Sequence, residues 1–321
     1  QVSMLTYVLF VIGFVILIKG ADLLVDGAAS VARKFNISSI VIGLTIVAFG
    51  TSAPEFVVNI FASVKGNSEI AIGNILGSNI VNIFFILGIA AVIHPIVAKE
   101  NTAWKEIPLS LLAAILIGVL ANDVLIDGGT FSGLTRIDGI VLLSFFIIFM
   151  YYTFGISKVT GDEENIEIKL LSSGKAALFI LGGLAGLVVG GKWIVDGAVK
   201  IAELFDVSQS LIGLTVVAIG TSLPELATSA VAAYKKQADI AIGNVIGSNI
   251  FNTFWILGVS AVIRPLPFSR DSDPDILMNI GASALLFVIL FIGKRHTIER
   301  WQGYLMIAFY IGYLVFLVNT R

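Results

Sequence analysis

Cysteine is absent from the 321-residue chain, which removes disulfides, thiolate metal sites and thiol nucleophiles together. Only two histidines are present, too few for an imidazole-rich zinc, copper or iron centre. Charge is also scarce: 13% of residues are Asp, Glu, Lys or Arg, against roughly one-quarter in soluble domains. A formal net charge of −2 offers no basic footprint, so nucleic acid is not an expected partner. No His-Glu-x-x-His or Gly-x-Ser-x-Gly pattern occurs, so the sequence does not read as an intramembrane enzyme.

What fills the chain instead is apolar sequence, 57% of it, in runs of membrane length. A hydrocarbon core of ~30 Å needs about 20 apolar residues per helix. By that ruler, spans fall near 4–20, 37–64, 69–94, 106–121, 137–154, 174–199, 208–234, 239–263, 275–293 and 301–318. The N-terminal run lacks a basic leader region and a small-residue cleavage site, and reads as the first span. The fold class expected is an all-α integral membrane protein of ten transmembrane helices, with the lipid bilayer as its surroundings. Residues 1–156 form a first five-helix repeat, 157–173 a linker and 174–321 a second five-helix repeat. An odd number of crossings per repeat inserts the second copy upside down, giving inverted topology. Lys and Arg gather on one side, including Arg33, Lys34, Lys99, Lys105, Lys235 and Lys236, rather than on the side of Lys65, Arg136, Lys200 and Arg264. The richer side is expected to be cytoplasmic, with the 157–173 linker on it and both termini extracellular, in a multi-pass protein of the cell membrane.

The two repeats are legible as a duplication. VIGLTIVAFGTSAPE at 41–55 aligns with LIGLTVVAIGTSLPE at 211–225, and EIAIGNILGSNIVNIFFILG at 69–88 with DIAIGNVIGSNIFNTFWILG at 239–258, all at an offset of 170. Thr51, Ser52, Asn74, Ser78, Asn79 and Asn82 recur as Thr221, Ser222, Asn244, Ser248, Asn249 and Asn252. Each first block ends in an acid, Glu55 or Glu225, set in hydrocarbon-grade sequence. A charge at the centre of a membrane helix costs roughly 2.5–3.5 kcal/mol even on insertion scales, so such a residue marks a functional site by default.

Proline precedes each acid, at Pro54 and Pro224. It lacks an N–H and clashes one turn back, so backbone carbonyls near Ala48, Thr51, Ala218 and Thr221 are expected to come free. Broken backbone at membrane depth is tolerated where it is buried in protein or lines a wet cavity. Gly73, Gly77, Gly243 and Gly247 allow the second helix of each block to pack close beside the first. The inventory is two carboxylates, freed carbonyls, the hydroxyls of Thr51, Ser52, Ser78, Thr221, Ser222 and Ser248, and the amides of Asn82 and Asn252. Calcium takes 6–8 oxygen ligands, and sodium, of similar radius, accepts the same ones. Two glutamates neutralise one Ca²⁺, and mutually exclusive occupancy of shared ligands is a chemical basis for exchange. Other acids read differently: Glu69 and Asp239 suit helix starts, while Asp22, Asp26, Lys192 and Asp196 suit interfacial pairs near span ends.

GTSAPE and GTSLPE, each followed by an IGN-x-x-GSNI-x-N block, resemble the two α-repeats of the sodium/calcium exchanger family, in the calcium/cation antiporter superfamily. The resemblance covers nearly the whole chain. It implies Na⁺/Ca²⁺ antiport by alternating access, with Ca²⁺ and Na⁺ as transported ions and no cofactor or obligate protein partner. Residue by residue, the family's ion ligands fall on Glu55, Glu225, Thr51, Thr221, Ser52, Ser222, Ser78, Ser248, Asn82, Asn252 and the carbonyls of Ala48 and Ala218. It further implies that the second, third, seventh and eighth helices enclose the ions while the first and sixth slide across them. The short 157–173 linker has no room for the calcium-sensing domains of animal members, which implies a prokaryotic-type protein. In the potassium-dependent branch the position of Asn252 carries aspartate; the neutral amide here implies potassium-independent exchange. The alternative is an H⁺/Ca²⁺ antiporter of the same superfamily, since a buried carboxyl can carry a proton. Thr-Ser ahead of the Pro-Glu favours sodium.

Overall fold

The computed structural model describes residues 4–128, 131–157, 170–204, 218–269 and 272–320, and these are mostly helical. The first half contains α1 Met4–Phe35, α2 Ser39–Thr51, α3 Ala53–Lys65, α4 Ser68–Ile93, α5 Thr102–Leu120, the short α6 Asp123–Asp127 and α7 Arg136–Gly155. The second contains α8 Ser173–Leu204, α9 Ala218–Thr221, α10 Leu223–Tyr234, α11 Ala238–Ile263, α12 Asp273–Ile289 and α13 Arg300–Thr320. Among the described residues seven helices (α1, α4, α5, α7, α8, α11 and α13) are long and apolar enough to cross a membrane, and α2 with α3, bent by 49°, makes an eighth. Helix α12 has 17 residues. The expected seventh span and most of the expected linker fall partly outside the described residues.

The first helix differs from its sequence expectation. It continues to Phe35 instead of stopping near residue 20, because Asp22 and Asp26 are not left to face hydrocarbon alone. Both pair with Lys235 at 2.6 Å. At 1.5 Å per residue its 32 residues run about 48 Å, longer than the ~30 Å hydrocarbon core. Lys192 and Asp196 pair at 3.3 Å along one helix, as an interfacial pair should.

Helices α1 and α8 lie against one another along their glycines. A Cβ on Gly20 would stand 2.8 Å from the Gly183 carbonyl oxygen, and one on Gly183 would stand 2.7 Å from that of Gly20. Gly13 and Gly190 repeat the arrangement at 3.0 and 2.7 Å. Lipid tails are as apolar as leucine, so helix association in membranes relies on such close packing. The opposite faces, with Leu5, Val11, Val15, Leu178 and Leu181, are exposed, as a lipid-facing surface requires.

Helices α4 and α11 form the centre. Every residue from Ala241 to Ile250 is buried, as are Ile75, Leu76, Ile80, Ile83, Ile86 and Leu87. Both helices widen into π-helical turns at positions 170 residues apart, Val81–Leu87 and Phe251–Leu257. Gly243 and Gly247 do mediate a close approach, but to the other half: their Cβ positions lie 2.9 Å from the Ile40 carbonyl oxygen and 2.8 Å from that of Leu44 in α2. Among the described residues nothing lies within 4 Å of a Cβ on Gly73 or Gly77; the first segment of the second repeat, which would be the counterpart of the Gly243 and Gly247 contacts, falls mostly outside the described residues. Two short antiparallel pairs also join the halves, β1 Ile96–Val97 with β4 Thr297–Ile298 and β2 Gly133–Leu134 with β3 Leu266–Pro267.

The glycine contact is testable by contrast. Gly20→Leu forces a side chain into the Gly183 backbone and should lower stability by about 1–3 kcal/mol or more, read as a lower thermal midpoint in detergent. Gly182→Leu, with open space at its Cβ, should leave the midpoint nearly unchanged.

Candidate ion-binding site

The Pro-Glu segments break their helices as the sequence requires. Ser52 and Ser222 sit at the breaks with φ/ψ of −81/7° and −89/8°, the sparsely populated bridge region. Proline follows in the first turn of α3 and of α10, where its missing N–H costs nothing, and the glutamate is the third helical residue. Ser-x-Pro-Glu has the spacing of a capping box, yet neither serine caps its own helix. Each hydroxyl crosses to the other half instead: Ser52 Oγ donates to Glu225 Oε1 at 2.9 Å and Ser222 Oγ to Glu55 Oε1 at 3.3 Å.

The same two oxygens receive a second hydroxyl from their own halves, Ser78 Oγ at 3.5 Å to Glu55 Oε1 and Ser248 Oγ at 3.4 Å to Glu225 Oε1. Both glutamates are fully buried. Among the described residues neither has an ion-pair partner, and no three His, Cys, Asp or Glu cluster. Among the described residues the second oxygen of each, Oε2, is buried with no hydrogen-bond donor. Asn82 Oδ1 and Asn252 Oδ1 are in the same condition. Four acceptor oxygens at two matched pairs of positions thus lack a donor. Buried polar atoms are normally partnered, so such exceptions require an explanation.

The remaining expected ligands gather around these. Thr51 is buried and donates to Asn244 Oδ1 at 2.9 Å, with a longer contact of 3.3 Å to the Ala48 carbonyl. That carbonyl also accepts from the Ser52 N–H at 3.0 Å, so proline does not leave it bare. In the second half the Ser222 N–H turns to the Ile219 carbonyl at 3.1 Å. Thr221 is half-buried beside Ser222.

Sequence reasoning missed the scaffold beneath the ligands. Asn244 Nδ2 donates to the Glu225 backbone carbonyl at 3.2 Å and to Ser229 Oγ at 2.9 Å. Asn74 Nδ2 does the same to the Glu55 carbonyl at 3.3 Å and to Asn59 Oδ1 at 2.7 Å. Asn59 and Ser229 are both fully buried and 170 residues apart, one helical turn past the glutamates. Both positions lie within the gap-free repeat, but as Asn and Ser they do not match, so identity between the copies did not single them out.

The sequence profile described as sodium/calcium exchanger protein matches residues 5–155 and 175–319. The chain belongs to the sodium/calcium exchanger protein family. Among relatives of this family member, the sodium/calcium exchanger MaX1 of Methanosarcina acetivorans is 32% identical over 346 residues, covering 97% of this chain and 98% of that protein. The inner membrane protein YrbG of Escherichia coli is 34% identical over 328 residues, covering 98% and 97%. Among solved structures, that of the sodium-calcium exchanger NCX_Mj soaked with Na⁺ and Ca²⁺ superposes with a TM-score of 0.84 at 36% identity over 100% of both chains. The family is one of exchangers, which sets this multi-pass chain among transporters.

Asn244→Leu removes a partner from the Thr51 hydroxyl, the Glu225 carbonyl and Ser229 at once. At roughly 1–3 kcal/mol per orphaned buried group, it should destabilise the protein by several kcal/mol, measurable by thermal unfolding in detergent.

Proposed function

We propose that the protein is a secondary active antiporter exchanging Na⁺ for Ca²⁺ across the cell membrane by alternating access, with the ions held between Glu55 and Glu225. The observation that carries this is the set of four buried, donor-less oxygens, Glu55 Oε2, Glu225 Oε2, Asn82 Oδ1 and Asn252 Oδ1. Oxygens that find no proton donor among the described residues suit a hard cation, and two carboxylates match the charge of one Ca²⁺. Around them Thr51, Thr221, Ser52, Ser222, Ser78, Ser248 and the carbonyls of Ala48 and Ala218 complete the ligand set. Sodium uses the same oxygens in turn, so each ion excludes the other. The exchange named for MaX1 and the Na⁺ and Ca²⁺ present with NCX_Mj support the choice of ions.

Ten crossings in two inverted repeats, 1–156 and 174–321, are part of this proposal. Contacts between connecting segments support it by falling into two sets. Lys235 with Asp22 and Asp26, Lys99 with Asp239 at 2.6 Å, and β1 with β4 lie at ends the alternation assigns to the cytoplasm. The Arg264 guanidinium against Gly66, and β2 with β3, lie at ends it assigns to the exterior, with the termini.

Calcium-45 uptake into proteoliposomes with an outward sodium gradient, against proton and potassium gradients, tests the function. Uptake driven by protons and indifferent to sodium would reassign the coupling to H⁺. Glu55→Gln and Glu225→Gln should each abolish Ca²⁺ uptake in protein that still purifies as a folded monodisperse species; near-wild-type uptake in either would remove the central claim. Protons compete with Ca²⁺ for the same carboxylate oxygens, so apparent affinity should fall on acidification from neutral pH. With a neutral amide at Asn252, exchange should run at full rate without potassium.

A further inference from the structure

Asn79 and Asn249 touch none of the proposed ligands' free oxygens, yet each holds the amide of one ligand from the opposite half. Asn82 Nδ2 donates to Asn249 Oδ1 at 2.9 Å, and Asn252 Nδ2 donates to Asn79 Oδ1 at 3.1 Å. All four side chains are at most 2% exposed. An asparagine amide has one end that attracts a cation and one that repels it, and the two are nearly the same shape. Which end faces the ions therefore depends on what grips the other.

For Asn249 and Asn82 the direction of the grip is fixed by a group that cannot donate. Asn249 Nδ2 lies 3.2 Å from the backbone carbonyl of Asn79, and a carbonyl only accepts. Asn249 must turn its NH₂ to that carbonyl, so its Oδ1 faces Asn82. Asn82 must then offer its NH₂, and its own Oδ1 is left pointing away, buried and without a donor. In the mirror half the carbonyl's place is taken by a hydroxyl, which can donate as well as accept and so does not by itself fix the direction: Asn79 Nδ2 donates to Thr253 Oγ1 at 3.1 Å, where the matching first-half residue is Ile83. Asn79 Oδ1 then receives Asn252, whose Oδ1 is again left without a donor.

We propose that Asn79 and Asn249 are positioning residues that set the amide polarity of Asn252 and Asn82, aiming both carbonyl oxygens at the cation and keeping both NH₂ groups off it. This rests on the ion-site reading above. Because each grip crosses from α4 to α11, the correct polarity exists only when the two halves are docked. Without its clamp, an asparagine is free to rotate and present NH₂ dipoles to the ion.

The test uses a ligand with no wrong end. Aspartate at position 82 offers oxygen whichever way it turns, so Asn249 should matter only while residue 82 is asparagine. Ca²⁺ affinity of the purified full chain is measured from the Ca²⁺-induced rise in thermal midpoint and from sodium-driven calcium-45 uptake. Asn249→Leu should weaken Ca²⁺ binding by roughly 10–100-fold, as losing an outer partner of a metal ligand does. In an Asn82→Asp background the same replacement should cost about threefold or less. Asn79→Leu with and without Asn252→Asp asks the same of the other half, and serves if Asn249→Leu does not fold. Equal losses in both backgrounds, or no loss in the wild-type background, overturn the clamp while leaving the ion site standing. A wild-type protein that shows no Ca²⁺-induced shift overturns the ion-site reading and the clamp together.

Discussion

Two buried carboxylates facing one another across the interface between the halves are the constraint on which the rest depends. Moving one such charge into a protein interior costs several kcal/mol even after relaxation, and the two repel each other. Two serine hydroxyls per carboxylate return roughly 1.5–3 kcal/mol each, as hydrogen bonds to charged acceptors do. That offsets the burial of one charge without cancelling the repulsion or serving the second oxygen of either group. In the proposed reading the missing partner is positive charge from outside the chain. Much of the surrounding architecture then follows: the helix breaks that set the glutamates at fresh helix starts, the serines that reach across instead of capping, and the asparagines that hold the broken turns by their backbone carbonyls.

The proposed ligands are mounted crosswise, which under that proposal joins ion binding to the docking of the halves. Ser52 with Glu225, Ser222 with Glu55, Thr51 with Asn244 and Asn82 with Asn249 all bridge one half to the other. A displacement of one half against its partner would disturb every one of them together.

The polar groups that gather at the candidate site were legible because the repeat supplies its own control. Matching polar positions stand out against varying apolar ones, and proline before glutamate forecasts the breaks that Ser52 and Ser222 adopt. The membrane class was equally legible, since apolar runs of that length have few other uses. Less legible were the length of α1, where Lys235, remote in sequence, neutralises Asp22 and Asp26, and the π turns at Val81–Leu87 and Phe251–Leu257, which no residue type announces.

The sequence by itself therefore determined that two duplicated, broken, acid-bearing segments lie in hydrocarbon and that oxygen is the only ligand on offer. Burial cost and proline sterics are local properties, and they act wherever the chain goes. Only the tertiary structure decided with whom each group pairs. Ser52 and Ser222 carry a local capping pattern that their own helices do not use, and Gly243 and Gly247 pack on α2 of the other half. A hydroxyl or a glycine in sequence carries no direction toward a distant partner; direction arises when the docking of α4 and α11 brings that partner within 3 Å or so, where a hydrogen bond forms.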